Sequence, residues 1–123
     1  MNRLLFILSL LLCTTIAAQN SYYIRQAKQF QQEAEYYINQ AQKYDKEVAY
    51  YNRQAQSALR EAEYYSKKNN YDQVRLYQNR AKNATDKAES YERKAKEARN
   101  KARAYLKKAE RLYINNNGLN IEI

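Results

Sequence analysis

Alanine and tyrosine recur along this chain at a fixed interval. The pattern Tyr-x-x-[Gln/Arg/Lys]-Ala repeats about every fourteen residues, which is two heptads. The tyrosines that anchor it are Tyr23, Tyr37, Tyr51, Tyr65, Tyr77, Tyr91 and Tyr105, and the interval from Tyr65 to Tyr77 is twelve residues instead of fourteen. Apolar residues three and four apart are typical of the a and d positions of a coiled coil. The pattern therefore predicts two helices with a break between them.

The a and d positions of the two predicted helices, which we call the seam, hold only apolar or aromatic residues. The a positions are Ala27, Ala34, Ala41, Val48, Ala55 and Ala62 before the break, and Val74, Ala81, Ala88, Ala95, Ala102 and Ala109 after it. The d positions are Tyr23, Phe30, Tyr37, Tyr44, Tyr51, Ala58 and Tyr65, then Tyr77, Ala84, Tyr91, Ala98, Tyr105 and Leu112. A deletion of two residues is neither of the heptad shifts that a continuous coiled coil absorbs. We therefore predict helices at about 20–68 and 71–115 joined by a turn at 69–70, with Asn69 left-handed and Asn70 capping the second helix.

The side-chain volumes on the seam indicate how the helices pair. Antiparallel pairing places a opposite d, so that a large residue faces a small one, as for Tyr51 with Ala88 and Val48 with Tyr91. No predicted layer holds two aromatics. Three layers are doubly small, namely Ala58 with Ala81, Ala55 with Ala84, and Ala41 with Ala98. The predicted fold is all-α, a long antiparallel two-helix coiled-coil hairpin with an Ala/Tyr seam.

The g positions beside the seam carry opposite charges on the two helices. In an antiparallel pair g faces g, and this predicts ion pairs between Glu61 and Arg80, Glu47 and Lys94, and Glu33 and Lys108. Gln54 and Gln40 would face Lys87 and Lys101. The e positions show no such match, since Asp45 would face Glu92. The g charges are therefore predicted to set the register.

The first residues have the layout of a secretory signal peptide. Arg3 precedes an apolar run from Leu4 to Leu12, and small residues follow at Ala17 and Ala18. The run is too short to span a bilayer. We predict a signal peptide at 1–18 with cleavage after Ala18, a hairpin at 19–115, and a secreted or periplasmic protein with no transmembrane segment after cleavage.

The last residues differ from the rest of the chain. The segment 116–123 is predicted to be a flexible tail that contains the only glycine, Gly118. The first interpretation is a frayed terminus. The second is a short strand, because Leu119, Ile121 and Ile123 alternate with polar residues, and such a strand could add to the sheet edge of a partner.

Residue composition argues against enzyme chemistry. The chain has no His and one Cys, Cys13, which lies within the predicted signal peptide. Its acids are scattered along the helices, so no nucleophile with a base, no metal cluster and no glycine-rich phosphate loop is present in the sequence. We predict a protein that is not an enzyme and needs no cofactor or metal. The formal net charge of +9, or +8 without Arg3, favours contact with polyanions or anionic surfaces, or only maintains solubility.

The first tyrosine of each Tyr-Tyr pair lies at a c position, next to the g side of the pair. We call Tyr22, Tyr36, Tyr50 and Tyr64 the tyrosine ladder. The candidate interaction face consists of this ladder and the basic g residues of the second helix, Lys87, Lys94, Lys101 and Lys108. Such a face suits burial against a second hairpin in a helical bundle, because alanine layers bury little area. It also suits stacking on sugars or bases combined with contacts to phosphate or carboxylate.

Two resemblances extend this interpretation. The segment "AEYYSKKNNYDQVRLYQNRA", residues 62–81, looks like the helix-turn-helix of a tetratricopeptide repeat, with "NNYDQV" in place of the usual turn. This resemblance covers one turn and implies no peptide groove. As a secreted, basic, long helical hairpin the chain is similar to the arms of the Skp/OmpH periplasmic chaperones, although their β-stranded trimer core has no counterpart here.

These features lead to one expected function and one alternative. The expected function is that of an exported structural or interaction protein whose partner is a copy of itself or another protein. The alternative is a Skp/OmpH-like chaperone or a polyanion-binding protein, with an anionic polymer or an envelope surface as its partner.

Overall fold

The computed structural model describes the backbone of residues 2–116 and the side chains of residues 21–115. It contains two helices, α1 at Asn2–Lys67 and α2 at Tyr71–Asn116, which pack against each other. The described backbone has no strand. An all-helical, two-helix fold is therefore confirmed. The tail residues 117–123 and the side chains of the predicted signal peptide lie outside the described residues.

The first helix begins earlier than the sequence pattern indicated. It begins at Asn2, whereas the heptad spacing gave a start at about residue 20. The apolar run from Leu4 to Leu12 is rich in leucine, which has a high helix propensity, and no Gly or Pro precedes the turn. A helix therefore continues without interruption from the N-terminal segment into the repeat.

Two asparagines in the turn, Asn69 and Asn70, satisfy backbone hydrogen-bonding groups at the end of α1. Asn69 has φ 58°, which confirms its predicted left-handed conformation. Its N–H donates to the Ser66 carbonyl at 3.1 Å, and the Asn70 N–H donates to the Tyr65 carbonyl at 3.0 Å. This pair of bonds is the Schellman pattern of a helix C-terminus.

Asn70 also begins α2. Its carbonyl accepts the first helical hydrogen bond, from the Val74 N–H at 3.1 Å, and its Oδ1 accepts from the Gln73 N–H at 3.4 Å. Asp72 lies in the first turn of α2, where a negative charge is favourable to the helix dipole. Asn70 therefore belongs both to the C-cap of α1 and to the N-cap of α2, and no additional linker residue separates the two caps.

The positive φ of Asn69 gives a stability prediction. Asn69→Ala should lower the free energy of unfolding by about 1 kcal/mol, because a Cβ-bearing residue without Asn's local hydrogen bonding is disfavoured in the left-handed region. Asn69→Gly should cost little or stabilise the protein. Urea denaturation of the three proteins checks this order. Equal stability of the Ala and Gly chains would contradict the turn geometry.

The chain divides into two units, and the same kind of core is found in each. The turn unit, Tyr37–Asn100, buries nine alanines, which are Ala41, Ala55, Ala58, Ala62, Ala81, Ala84, Ala88, Ala95 and Ala98. The terminal unit, Met1–Tyr36 with Lys101–Ile123, buries Ala27, Ala34, Ala102 and Ala109. Each of these is a residue that the sequence placed on the seam. Among the described residues no large side chain is fully buried, so this core removes little apolar area from water.

The aromatic seam residues also contact one another between neighbouring layers, which the layer prediction did not describe. In the turn unit, Tyr91 contacts the rings of both Tyr44, at 6.0 Å between centroids, and Tyr51, at 5.8 Å. Tyr65 and Tyr77 are stacked at 5.6 Å. In the terminal unit, Phe30 and Tyr105 are 6.0 Å apart. Each pair belongs to neighbouring predicted layers, because a tyrosine ring reaches across one turn, so these contacts do not contradict the prediction that no layer holds two aromatics.

One seam residue is exposed. Tyr23 retains 36% of its accessible surface, in contrast to the half-buried Tyr37, Tyr44 and Tyr51. The predicted register places Tyr23 level with the end of α2 at Asn116.

Candidate interaction face

The tyrosine ladder lies on the surface, as its c positions predicted. Tyr22 and Tyr36 are each 56% exposed, Tyr50 is 47% and Tyr64 is 49%. Three of the rings contact the seam tyrosine that follows them edge to face: Tyr22 with Tyr23 at 5.7 Å, Tyr50 with Tyr51 and Tyr64 with Tyr65, both at 5.1 Å. These edge-to-face contacts hold the rings of Tyr22, Tyr50 and Tyr64 beside the seam.

The basic g residues of α2 lie over aromatic rings and not beside the predicted carboxylates. In the turn unit, Arg80 lies 5.1 Å from the Tyr77 centroid, Lys87 5.2 Å from Tyr51 and Lys94 5.0 Å from Tyr91. In the terminal unit, Lys108 lies over both Tyr105, at 5.1 Å, and Phe30, at 5.7 Å. These are cation–π distances. Lys101, the remaining basic residue of the candidate face, is exposed.

The predicted g ion pairs are therefore wrong within the hairpin. Among the described residues, Glu33, Glu47 and Glu61 form no ion pair with their predicted partners Lys108, Lys94 and Arg80. Arg80, Lys94 and Lys108 each follow a seam tyrosine by three residues, a spacing that places them beside that ring on their own helix. A cation that stays over the adjacent ring orders fewer side chains than one that reaches across to an exposed carboxylate.

The e side carries an ion pair that sequence reasoning missed. Asp45 was expected to face Glu92, but its Oδ1 accepts from Nη2 of Arg99 at 2.8 Å and from Nη1 at 3.2 Å. Arg99 is one heptad beyond Glu92, about 10.5 Å along α2 at 1.5 Å per residue, so Asp45 pairs with a different e residue from the one predicted. The presence of both an acid and a base among the e positions was the signal available in the sequence.

A groove opens on the candidate face within the turn unit, with a volume of about 370 Å³. Ala58 and Ala84 form its floor, and they belong to two successive doubly small layers. Two sets of residues with the same spacing line it: Tyr51, Gln54, Ser57, Ala58 and Glu61 on α1, and Tyr77, Arg80, Asn83, Ala84 and Lys87 on α2. Tyr50 of the ladder completes the lining. The groove therefore has an approximate twofold arrangement of side chains and brings Tyr50, Arg80 and Lys87 together.

Near the turn, Tyr64 of the ladder is joined to a cation on its own helix. The Lys68 ammonium donates a hydrogen bond to the Tyr64 hydroxyl and lies 4.4 Å from the centroid of that ring. This hydrogen bond is the main reason that the pKa of Lys68 is raised above its usual value. Lys68 therefore adds a cation beside Tyr64 that the sequence prediction did not include.

Comparison with protein-family models, with curated proteins and with solved structures gives no match to this chain. The described residues contain no group of His, Cys, Asp and Glu side chains arranged to hold a metal ion. In the same part of the chain, neither helix has a stretch that is long and apolar enough to cross a membrane.

Proposed function

We propose that this chain is an exported, non-enzymatic coiled-coil hairpin that acts as a structural or interaction protein and assembles with copies of itself through the tyrosine ladder. The observation that carries the proposal is the contrast between core and surface. The buried hydrophobic residues of the described helices are all alanines, while the ladder tyrosines of each unit remain about half exposed.

The energetic argument rests on area. Burial stabilises by about 25 cal/mol per Å² of apolar surface, and an alanine methyl group offers little of it. A tyrosine buries about 150–250 Å² when it is covered. Tyr36 is 56% and Tyr50 is 47% exposed, so covering them would bury about half of that area for each ring, which is still more than an alanine methyl group offers. A four-helix bundle built from two hairpins supplies that cover.

Export is part of the same proposal. The signal-peptide layout at 1–18 supports a secreted or periplasmic location. The mature chain would contain no cysteine, so its stability would depend on helix packing and assembly without a disulfide. The proposal assigns the chain no cofactor and no metal.

A second candidate function is supported by the row of cations on the same face. Arg80, Lys87 and Lys94 follow one another at heptad spacing, about 10.5 Å apart along α2 at 1.5 Å per residue. A Skp/OmpH-like chaperone or a polyanion-binding protein would use them with Tyr50 to hold an anionic polymer, an anionic client or an envelope surface. Self-association is favoured because the alanine core removes little apolar area from water and the half-exposed rings of the ladder offer more.

The test is sedimentation of the protein in the form that an exporting cell produces, with its N-terminus determined by mass spectrometry. The wild type should be an oligomer. A Tyr36→Ser and Tyr50→Ser double variant should sediment as a less stable monomer, with association weakened by at least about a hundredfold, since hot-spot tyrosines at an interface are each worth about 2 kcal/mol or more.

A matched control uses exposed apolar residues on the other side of α1. Ile38→Ser and Leu59→Ser remove side chains that are 40% and 54% exposed, and together they should leave the oligomer intact. A wild-type monomer that binds heparin in a strongly salt-dependent manner would support the polyanion alternative instead. A wild-type monomer indifferent to heparin would contradict both candidate functions.

A further inference from the structure

The candidate face of the turn unit has an acidic half and a basic half. The groove lining shows that c and g positions of both helices lie on this one side. Glu47 and Glu61 occupy g positions of α1, while Arg80, Lys87 and Lys94 occupy g positions of α2. Among the described residues neither glutamate is in an ion pair. Their carboxylates are thus able to pair with cations of another chain.

The c positions of α1 and of α2 on the same face are complementary: a large residue on one helix is level with a small residue on the other, and a lysine is level with a glutamate. The contacts of Tyr91 with Tyr44 and Tyr51 place it level with Val48, which lies between them in sequence. At this register Tyr50 is level with Ser90 to within one residue, and Lys43 is level with Glu97. A row of tyrosine, lysine and serine on α1 therefore lies beside a row of serine, glutamate and asparagine on α2.

We propose that a second copy of this chain docks on this face about a twofold axis parallel to the helices, so that α1 of one copy lies on α2 of the other. This rests on the proposed self-association and specifies its geometry. The twofold axis makes the interface isologous, with every contact made twice.

The paired surfaces are complementary in charge and in size. Glu61 meets Arg80 of the partner subunit, and Glu47 meets Lys94 of the partner subunit. Tyr50 meets Ser90 of the partner subunit, and Lys43 meets Glu97 of the partner subunit. The result is a four-helix bundle in which neighbouring helices are antiparallel.

The other simple twofold arrangement is unfavourable. An axis perpendicular to the helices would place α1 on α1 and α2 on α2, so that Glu47 and Glu61 would face glutamates and Arg80, Lys87 and Lys94 would face cations. Juxtaposed like charges cost affinity and select against such a partner. The charge halves of this face therefore select one orientation of the second copy.

The test uses two charge-reversed chains. One carries Glu47→Lys and Glu61→Lys, and the other carries Arg80→Glu and Lys94→Glu. Each chain alone should dimerise at least about tenfold more weakly than wild type at low salt, because like charges then meet across both halves of the interface. An equimolar mixture of the two should form a heterodimer of about wild-type affinity, since both halves regain opposite charges. A single chain with all four changes should dimerise with itself.

Recovered dimerisation in the mixture and in the four-change chain would exclude misfolding as the cause of weaker dimerisation in the single-helix variants. Circular dichroism of every chain checks that each is helical. Arg53→Glu with Arg60→Glu, on the exposed f side of α1, is the control and should leave dimerisation unchanged. Unweakened dimerisation of the single-helix variants, or a mixture that fails to associate, would overturn the docking geometry. In that event, loss of assembly in the Tyr36 and Tyr50 variant would still support self-association. A monomeric wild type would overturn both proposals.

Discussion

An Ala41→Asp chain is expected to lose most of its helical circular-dichroism signal and its cooperative urea transition. Ala41 is 3% exposed in the turn unit, so the substitution places a carboxylate where water cannot reach it. We expect a destabilisation of about 3 kcal/mol, the scale measured for an uncompensated buried charge. A core of alanines with no fully buried large side chain has little stability to lose.

The control for this prediction lies on the same helix. Ala49 is exposed, and Ala49→Asp imposes the same change in helix propensity without burial. It should shift the urea midpoint only slightly. If the two variants unfolded alike, the buried alanines would not be the core of the fold.

Paired cysteines at Ala41 and Ala98 are expected to form a disulfide within one chain almost completely. Both alanines are buried in the turn unit, and the predicted layers place them opposite each other. In a Cys13→Ser background, Ala41→Cys with Ala98→Cys should oxidise in dilute solution to a monomer that resists urea more strongly. Closing a loop of this length stabilises by about 4 kcal/mol in the chain-entropy model.

The outcome separates a hairpin from an extended assembly. In one continuous helix the two positions would lie about 85 Å apart at 1.5 Å per residue, and only links between chains would form. Non-reducing electrophoresis at several protein concentrations distinguishes the two. Ala49→Cys with Ala98→Cys is the control, because Ala49 faces solvent and should not link within the chain.

Spacing was sufficient to predict which residues are buried in each unit. Every buried alanine had been assigned to the seam, because a helix repeats its faces every seven residues and a two-residue deletion requires a turn. The left-handed conformation of Asn69 was equally predictable from the sequence, since the preference for asparagine at a helix C-terminus is local. Both features depend on few neighbours and are therefore readable from one sequence.

The predicted pairings of long side chains were less successful. Spacing predicted Glu47 with Lys94 but could not weigh that contact against the ring of Tyr91 on the lysine's own helix. Both contacts are individually weak, so small differences in reach decide between them. The Asp45–Arg99 ion pair joins Asp45 to the e residue one heptad beyond the predicted one, because a heptad assignment does not specify how far a long arginine side chain reaches along the helix.

The groove was implicit in the sequence but was not recognised. Ala58 with Ala81 and Ala55 with Ala84 were identified as doubly small layers, and their succession leaves space between the large rings of Tyr51 and Tyr77. Two successive small layers flanked by aromatics are the signal by which such a groove is predictable.

The shared asparagine of the turn has a consequence for how the protein folds. Asn70 both closes the C-terminus of α1 and caps α2, so the connection contains no additional flexible residue. The alignment of the two helices near the turn is therefore determined where the chain reverses. The contact of Tyr65 with Tyr77 joins the two helices across only twelve residues of sequence and therefore forms at a low loop-closure cost. Within the turn unit, folding should therefore nucleate at the reversal and proceed outward layer by layer, so that its rate is governed by local contacts.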